Sequence, residues 1–161
     1  MRHAPRWVLN SGESTDGGSS DPRPLRVILD TNVLLSALIR RDSIPASLLQ
    51  AWHQNRYDLL THALQLQELR AVTRREHIRN LVRPAQAGRL VNQLRATAMM
   101  VDRLPRVQRS EDPADDFLLA LCEAGAADYL VTGDRGGLLI LDRHGATQIV
   151  TARTLLGRLG R

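Results

Sequence analysis

The length and composition of the chain favour a single folded domain. Its 161 residues are enough for one hydrophobic core, and hydrophobic residues make up 43% of them, so the chain can bury a real interior. All 22 basic residues are arginine, and the formal net charge is +5. The absence of lysine excludes P-loop ATPases, Schiff-base enzymes and protein kinases, since each of these needs a lysine for its chemistry.

Two further absences bear on the location of the protein and on its cysteine chemistry. No run approaches the roughly 18–20 apolar residues that span a bilayer, and no apolar segment of a secretory signal follows Leu9. We therefore expect a cytoplasmic protein. Cys122 is the only cysteine, and its apolar helical surroundings predict a small buried side chain rather than a nucleophile or a zinc ligand.

From residue 25 onward, the pattern predicts strands that alternate with helices, whereas residues 1–24 read as a disordered N-terminal tail. We predict a folded domain over residues 25–161. Its predicted strands are 25–29, 57–60, 129–131 and 147–150. Its predicted helices are 33–39, 46–53, 63–73, 84–101, 112–124 (with Gly125 as the stop) and 137–141. This alternation predicts a central parallel sheet with helices on both faces, and functional sites beyond the carboxyl ends of its strands.

Four acidic residues occupy positions that can converge at that edge of the sheet. Asp30 and Asp134 follow predicted strands, Asp115 lies in the first turn of a helix, and Glu68 lies at the border of a helix's buried face. Converged carboxylates repel one another, and a hard cation such as Mg²⁺ or Mn²⁺ relieves that repulsion. Metals held in this way promote phosphodiester hydrolysis.

Each of these acids also has a simpler explanation when it is taken alone. Asp30 could cap the helix that follows it, and Glu68 could be a solvated charge paired with an arginine. Asp115 could be a helix N-terminal charge that the macrodipole favours. Asp134 could be a turn residue. Spacing alone therefore leaves both interpretations open.

Four segments in order resemble the PIN-domain family: LDTNVLLSAL at 29–38, LQELRAVTR at 66–74, DPADDFLLA at 112–120 and AADYLVTGD at 126–134. The resemblance covers about residues 25–156. It implies a three-layer α/β/α sandwich and a ribonuclease that depends on Mg²⁺ or Mn²⁺. The subgroup that the chain is most similar to is the toxins of bacterial type II toxin–antitoxin pairs. That likeness implies an RNA substrate, a cognate antitoxin protein and a homodimer.

The resemblance also implies roles for individual residues. Asp30, Glu68, Asp115 and Asp134 would bind the metal, with Asp116 as an additional ligand and Asp112 as a helix cap. Asn32 would orient a metal-binding carboxylate or a water. Thr132 would supply a hydroxyl that supports a carboxylate or contacts the substrate.

The segment 70–109 is strongly basic. It holds ten arginines against two acids, Glu76 and Asp102, which gives a local balance of +8. Such a segment can bind phosphates without reading sequence, and the arginines that we predict to contact RNA are Arg70, Arg74, Arg75 and Arg79. An ordinary solvated face, or a surface for an acidic antitoxin segment, explains the same charges equally well.

Two other classes of function compete with the ribonuclease. A phosphoacceptor signalling domain would have a similar α/β architecture, but it normally needs a lysine near its last strand. A non-catalytic module that retains the PIN fold and binds RNA or protein is the remaining alternative. Loss of metal-dependent cleavage in the Asp30→Asn variant would separate an enzyme from such a module.

Overall fold

The computed structural model describes residues 23–133 and 136–160. Residues 1–22 of the predicted tail, together with Asp134 and Arg135, lie outside the described residues, so the disorder of the tail stays a prediction. None of the described helices has the length and apolar character that crossing a membrane would require.

Within the described residues, a six-stranded sheet is flanked by helices. The strands are Arg26–Leu29 (β1), Asp58–Thr61 (β2), Met99–Met100 (β3), Tyr129–Val131 (β4), Arg143–His144 (β5) and Thr147–Val150 (β6). The helices are Thr31–Ile39 (α1), Ile44–His53 (α2), Ala63–Thr73 (α3), Glu76–Arg79 (α4), Pro84–Thr97 (α5), Pro113–Gly125 (α6), Leu138–Leu141 (α7) and Ala152–Leu159 (α8).

The order of the strands creates a switch point in the middle of the sheet. The order is β3-β2-β1-β4-β6-β5, and all neighbouring strands are parallel except β5 and β6. The chain moves outward from β1 to β2 and β3, and it then crosses back to β4 on the other side of β1. In open parallel sheets, ligands bind beyond the carboxyl ends of the strands at such a reversal. We call this side of the sheet the carboxyl edge.

Both faces of the sheet are covered, as the three-layer prediction requires. Successive strand residues point to opposite faces. Val27 and Leu29 pack with residues of α1, α2, α3, α5 and α8, whereas Ile28 packs with residues of α6 and α7. All three side chains are essentially inaccessible to solvent, which explains why residues 27–29 of β1 form a continuous apolar run rather than an alternating one. The predicted α/β/α architecture is confirmed.

The predicted helix 84–101 is wrong at its carboxyl end. The helix ends at Thr97, and Ala98 is extended. Met99 then pairs with Leu60 of β2 as part of a two-residue strand. The apolar residues after the helix continue its pattern, so the sequence alone did not separate the strand from the helix. The short helix α4, strand β5 and helix α8 were not predicted either.

Gly125 does not end α6 in the way predicted. It is the last residue of the helix, and the next residue, Ala126, adopts the left-handed conformation with a φ of 50°. A Cβ atom on Gly125 would overlap Cδ2 of Leu60. The glycine therefore leaves room for the side chain of Leu60 between α6 and β2 rather than serving a turn.

Candidate active site at the carboxyl edge of the sheet

Asp30 is fixed across the switch point between β1 and β4. It follows the last residue of β1, and its backbone N–H donates to the carbonyl of Val131 at 2.9 Å. Its Oδ1 accepts from the backbone N–H of Asn32 at 3.3 Å, and its Oδ2 accepts from the hydroxyl of Thr132 at 2.9 Å. Asp30 therefore does cap α1. Each carboxylate oxygen can accept more than one bond, so this cap does not exclude a second role.

Thr132 and Asn32 support Asp30 in different ways. The Thr132 side chain is completely buried, and its hydroxyl donates to Asp30. Asn32 contacts the same carboxylate through its backbone, while its side chain is exposed at the start of α1. The expected role of Thr132 as a support for a carboxylate agrees with its hydrogen bond.

Glu68 lies beside Asp30 because Thr31 connects the two elements that carry them. The hydroxyl of Thr31, the residue after Asp30, donates to Oε2 of Glu68 at 3.0 Å. Glu68 is exposed on α3, and it forms no ion pair with any arginine in the described part of the chain. The alternative of a solvated glutamate paired with an arginine is therefore not what these residues show.

Sequence reasoning missed three polar residues beneath this pair of acids. Thr31, Thr61 and Gln65 are among the few buried polar side chains of the described chain. Gln65 shares the apolar face of α3 with Leu69 and Val72, and a polar residue at a position of helical apolar spacing is the signal that could have identified it.

The first turn of α6 carries Asp112, Asp115 and Asp116. Because α6 leads directly into β4, its amino end lies at the carboxyl edge. Asp112 caps the helix, as predicted, by accepting from the N–H of Ala114 at 2.9 Å. Oδ1 of Asp116 accepts from the backbone N–H groups of Arg109 at 3.0 Å and Ser110 at 2.8 Å. Asp116 thereby ties the preceding loop to the helix.

Asp115 lines a groove of about 540 Å³ together with Gly136 and Gly137, which follow β4. Its Oδ2 accepts a long hydrogen bond, 3.4 Å, from the hydroxyl of Ser110. A second groove of about 610 Å³ is lined by Asn32, Thr132, Gly133, Thr151, Arg153 and others. Both grooves adjoin the segment after β4, so they lie at the same edge of the sheet as Asp30.

The donor chemistry of this edge fits Mg²⁺ or Mn²⁺, because its candidate ligands are all carboxylate oxygens. Among residues 23–133 and 136–160, no group of three or more acidic, histidine or cysteine side chains is arranged to hold a metal ion. Asp134 lies outside these residues. The described part of the chain thus brings Glu68 to Thr31, the residue next to Asp30, but it does not group Asp115 with these two acids. The four-acid site stays a prediction.

The arginines that were predicted to contact RNA lie on α3, on α4 and at the turn between them. α3 begins directly after β2, at the carboxyl edge, and it packs against α5. Glu68 and Arg70 are therefore carried by the same helix.

Arg70 lies on α3, Arg74 and Arg75 follow that helix, and Arg79 is the last residue of α4. We call these four residues the basic surface. All four are exposed, and none pairs with a carboxylate of the described residues.

Comparison with models of protein families matches residues 26–136 to the PIN domain. The chain belongs to the PIN-domain family. The match covers more than half of the chain and includes all four of the predicted metal-binding acids. PIN domains are generally nucleases and typically use divalent metals, so this PIN domain has the fold of a nuclease. Comparison with curated proteins found no match.

Proposed function

We propose that this PIN domain is a metal-dependent endoribonuclease that hydrolyses RNA phosphodiester bonds. The observation that carries the proposal is the pair of acids at the switch point. Asp30 and Glu68 each accept a hydroxyl hydrogen bond, from Thr132 and Thr31, and neither hydroxyl cancels the negative charge. Carboxylates held in this way are suited to a hard divalent cation.

The proposed metal ligands are Asp30, Glu68, Asp115 and Asp134, with Oδ2 of Asp116 as an additional ligand atom. Mg²⁺ or Mn²⁺ bound there would stabilise charge on the phosphate oxygens and activate water for in-line attack. In the overall reaction, the water oxygen forms a bond to phosphorus and the bond from phosphorus to a ribose oxygen breaks. The protein itself holds the carboxylates in place, and its two grooves at the carboxyl edge provide room for the RNA.

The central test of this proposal is RNA cleavage by the full chain and by Asp30→Asn. We expect wild-type cleavage to require added Mg²⁺ or Mn²⁺. The cleavage rate of the variant should fall by more than about 100-fold, because losing a metal ligand should cost more than losing a group that only orients a ligand. Asp142→Asn is the matched control, since Asp142 is exposed and has a positive φ that asparagine tolerates.

Cleavage in excess chelator would contradict the proposal. RNA binding without cleavage, unchanged in Asp30→Asn, would instead identify a non-catalytic binding module.

We propose that the basic surface binds the RNA backbone. Replacing Arg70, Arg74, Arg75 and Arg79 by glutamine should weaken binding of single-stranded RNA and lower the slope of log affinity against log salt by up to about 3, since each phosphate contact contributes roughly 0.7. Arg56→Gln is the control, because Arg56 is exposed and lies just before β2, at the amino ends of the parallel strands. This variant should leave the slope unchanged. An unaltered slope in the fourfold variant would show that RNA binds elsewhere.

We further propose that the protein is the toxin of a toxin–antitoxin pair, acts in the cytoplasm as a homodimer and is blocked by a cognate antitoxin. The arginines of the basic surface pair with no carboxylate of residues 23–133 and 136–160, which supports a partner with acidic side chains. Expression of the wild-type chain alone should arrest bacterial growth, whereas expression of Asp30→Asn should not. Equal toxicity of the two chains would contradict this role.

A further inference from the structure

Gln65 is a buried amide at the centre of a chain of hydrogen bonds. Its side chain is 1% exposed, and it lies on α3 one turn before Glu68. Oε1 accepts from the hydroxyl of Thr61 at 2.6 Å. Nε2 donates to the carbonyl of Leu29 at 2.7 Å and, over a longer distance of 3.5 Å, to the hydroxyl oxygen of Thr31. The amide therefore touches both the last residue of β1 and the first residue of α1, on either side of Asp30.

The directions of these bonds follow from what each group can do. A backbone carbonyl only accepts, so Nε2 of Gln65 must face Leu29, and Oε1 must then face the hydroxyl donor of Thr61. The second amide proton points to Thr31, which makes that oxygen an acceptor. The single hydroxyl proton of Thr31 is then left for Oε2 of Glu68, at 3.0 Å.

The chain of donors begins in the interior and ends on a charge at the surface. Thr61, Gln65 and Thr31 are all at most 4% exposed, whereas Glu68 is exposed. A hydrogen bond to an exposed carboxylate contributes little to folding stability, because water competes for the same oxygen. The hydrogen bond from Thr31 to Glu68 is therefore better explained by the orientation that it gives to the carboxylate than by the folding stability that it adds.

We propose that Gln65 is a positioning residue of the metal centre. It acts on Glu68 through Thr31, and on Asp30 through the carbonyl of Leu29, so that the two acids are already arranged before a cation arrives. The inference rests on the proposed function, because it requires a metal at these acids. Groups that fix the ligands of a metal in this way commonly change its affinity by 10–100-fold when they are removed.

The test is direct binding of Mn²⁺ to the full-length chain. Binding is measured from the decrease in the electron paramagnetic resonance signal of free Mn²⁺. Gln65→Met removes both polar atoms and keeps an unbranched side chain of similar length. We expect it to weaken Mn²⁺ binding by roughly tenfold or more. Thr31→Val should weaken binding similarly, Thr31→Ser should restore it, and the double variant should bind no more weakly than Gln65→Met alone, because both changes break one chain of bonds.

Thr73→Val is the matched control on the same helix. Thr73 is 8% exposed, and its hydroxyl donates only to backbone carbonyls of α3, those of Leu69 and Arg70. This change should lower stability to urea without altering Mn²⁺ binding. If Gln65→Met does not fold, as judged by circular dichroism, Thr31→Val and its serine rescue provide the same test.

Three results would overturn the inference. Folded Gln65→Met or Thr31→Val could bind Mn²⁺ as tightly as the wild type, or Thr73→Val could weaken binding to the same extent. Either result, with a wild type that binds Mn²⁺, would remove the positioning role and leave the proposed function intact. A wild-type chain that binds no Mn²⁺ and cleaves no RNA would instead overturn the proposed function, and this inference with it.

Discussion

A threonine hydroxyl donates a hydrogen bond to each of the two acids. Thr132 donates to Asp30 and Thr31 donates to Glu68. A hydroxyl is uncharged, so its hydrogen bond orients a carboxylate without neutralising it, whereas an arginine in the same place would neutralise the carboxylate. At the scale of single residues, these two hydrogen bonds are compatible with the proposed metal binding.

Cys122 provides a prediction about pH at the same scale. Its side chain is buried, as predicted, and burial is the main cause that raises its pKa from 9.0 to about 12. The folded protein therefore keeps the thiol proton at a pH where the unfolded chain releases it. The resulting stability is complete below pH 9.0 and is lost as the pH rises towards about 12.

The urea midpoint of the wild type should therefore fall more steeply over that range than the midpoint of Cys122→Ala. Equal falls in the two proteins would contradict the assignment. The measurement is urea unfolding, followed by circular dichroism, at neutral pH and at several alkaline values.

The sequence predicted some residue roles and missed others for a physical reason. Asp30, Asp112 and Cys122 could be predicted because their roles depend on the element that carries them: a strand end, a helix start and an apolar helix face. The role of Gln65 depends on three elements that meet only in the fold. Leu29 and Thr31 lie 36 and 34 residues before Gln65 in the sequence, so no local pattern indicates that they become its partners.

Packing between α6 and β2 depends on the absence of one side chain. A Cβ at Gly125 would overlap the side chain of Leu60, so this buried side chain, or the helix or strand beside it, must shift to accept the extra atom. We expect Gly125→Ala to lower the free energy of unfolding by about 1–3 kcal/mol, the usual cost of overpacking. The measurement is urea unfolding.

Gly157→Ala is the control for helix propensity. Gly157 lies within α8, and a Cβ atom added there would meet no atom within 4 Å. This substitution should raise stability by about 0.5–1 kcal/mol. A Gly125→Ala protein as stable as the wild type would show that α6 and β2 are not in such close contact.

The elements themselves were predictable where their patterns were long. The helices α3 and α6 have apolar residues at helical spacing, and the predicted ranges of α3, α6, β1 and β6 agree with the structure within one residue. β3 has only two residues, and it exists because Met99 pairs with Leu60. Pairing of this kind is a property of the sheet, so a local pattern does not reveal it.

At the scale of the whole molecule, the topology of the sheet brings acidic residues that are far apart in the sequence to the carboxyl edge. The reversal of strand order between β1 and β4 puts Asp30 next to Thr132, and the crossover through α3 adds Glu68. The return of the chain through α6 brings Asp115 to the same edge. α3 carries both Glu68 and Arg70, the first residue of the basic surface. The parallel architecture was predictable from the sequence, and the four acids as metal ligands stay a prediction that rests on the likeness to PIN domains.

The most direct test is to locate bound Mn²⁺ in crystals by its anomalous scattering. The four-acid proposal predicts one or two peaks at the carboxyl edge, within about 2.0–2.5 Å of carboxylate oxygens of Asp30, Glu68 and Asp115, together with Asp134, and no peak there in Asp30→Asn crystals. Peaks confined to other parts of the surface, or none at concentrations of Mn²⁺ that support cleavage, would contradict it.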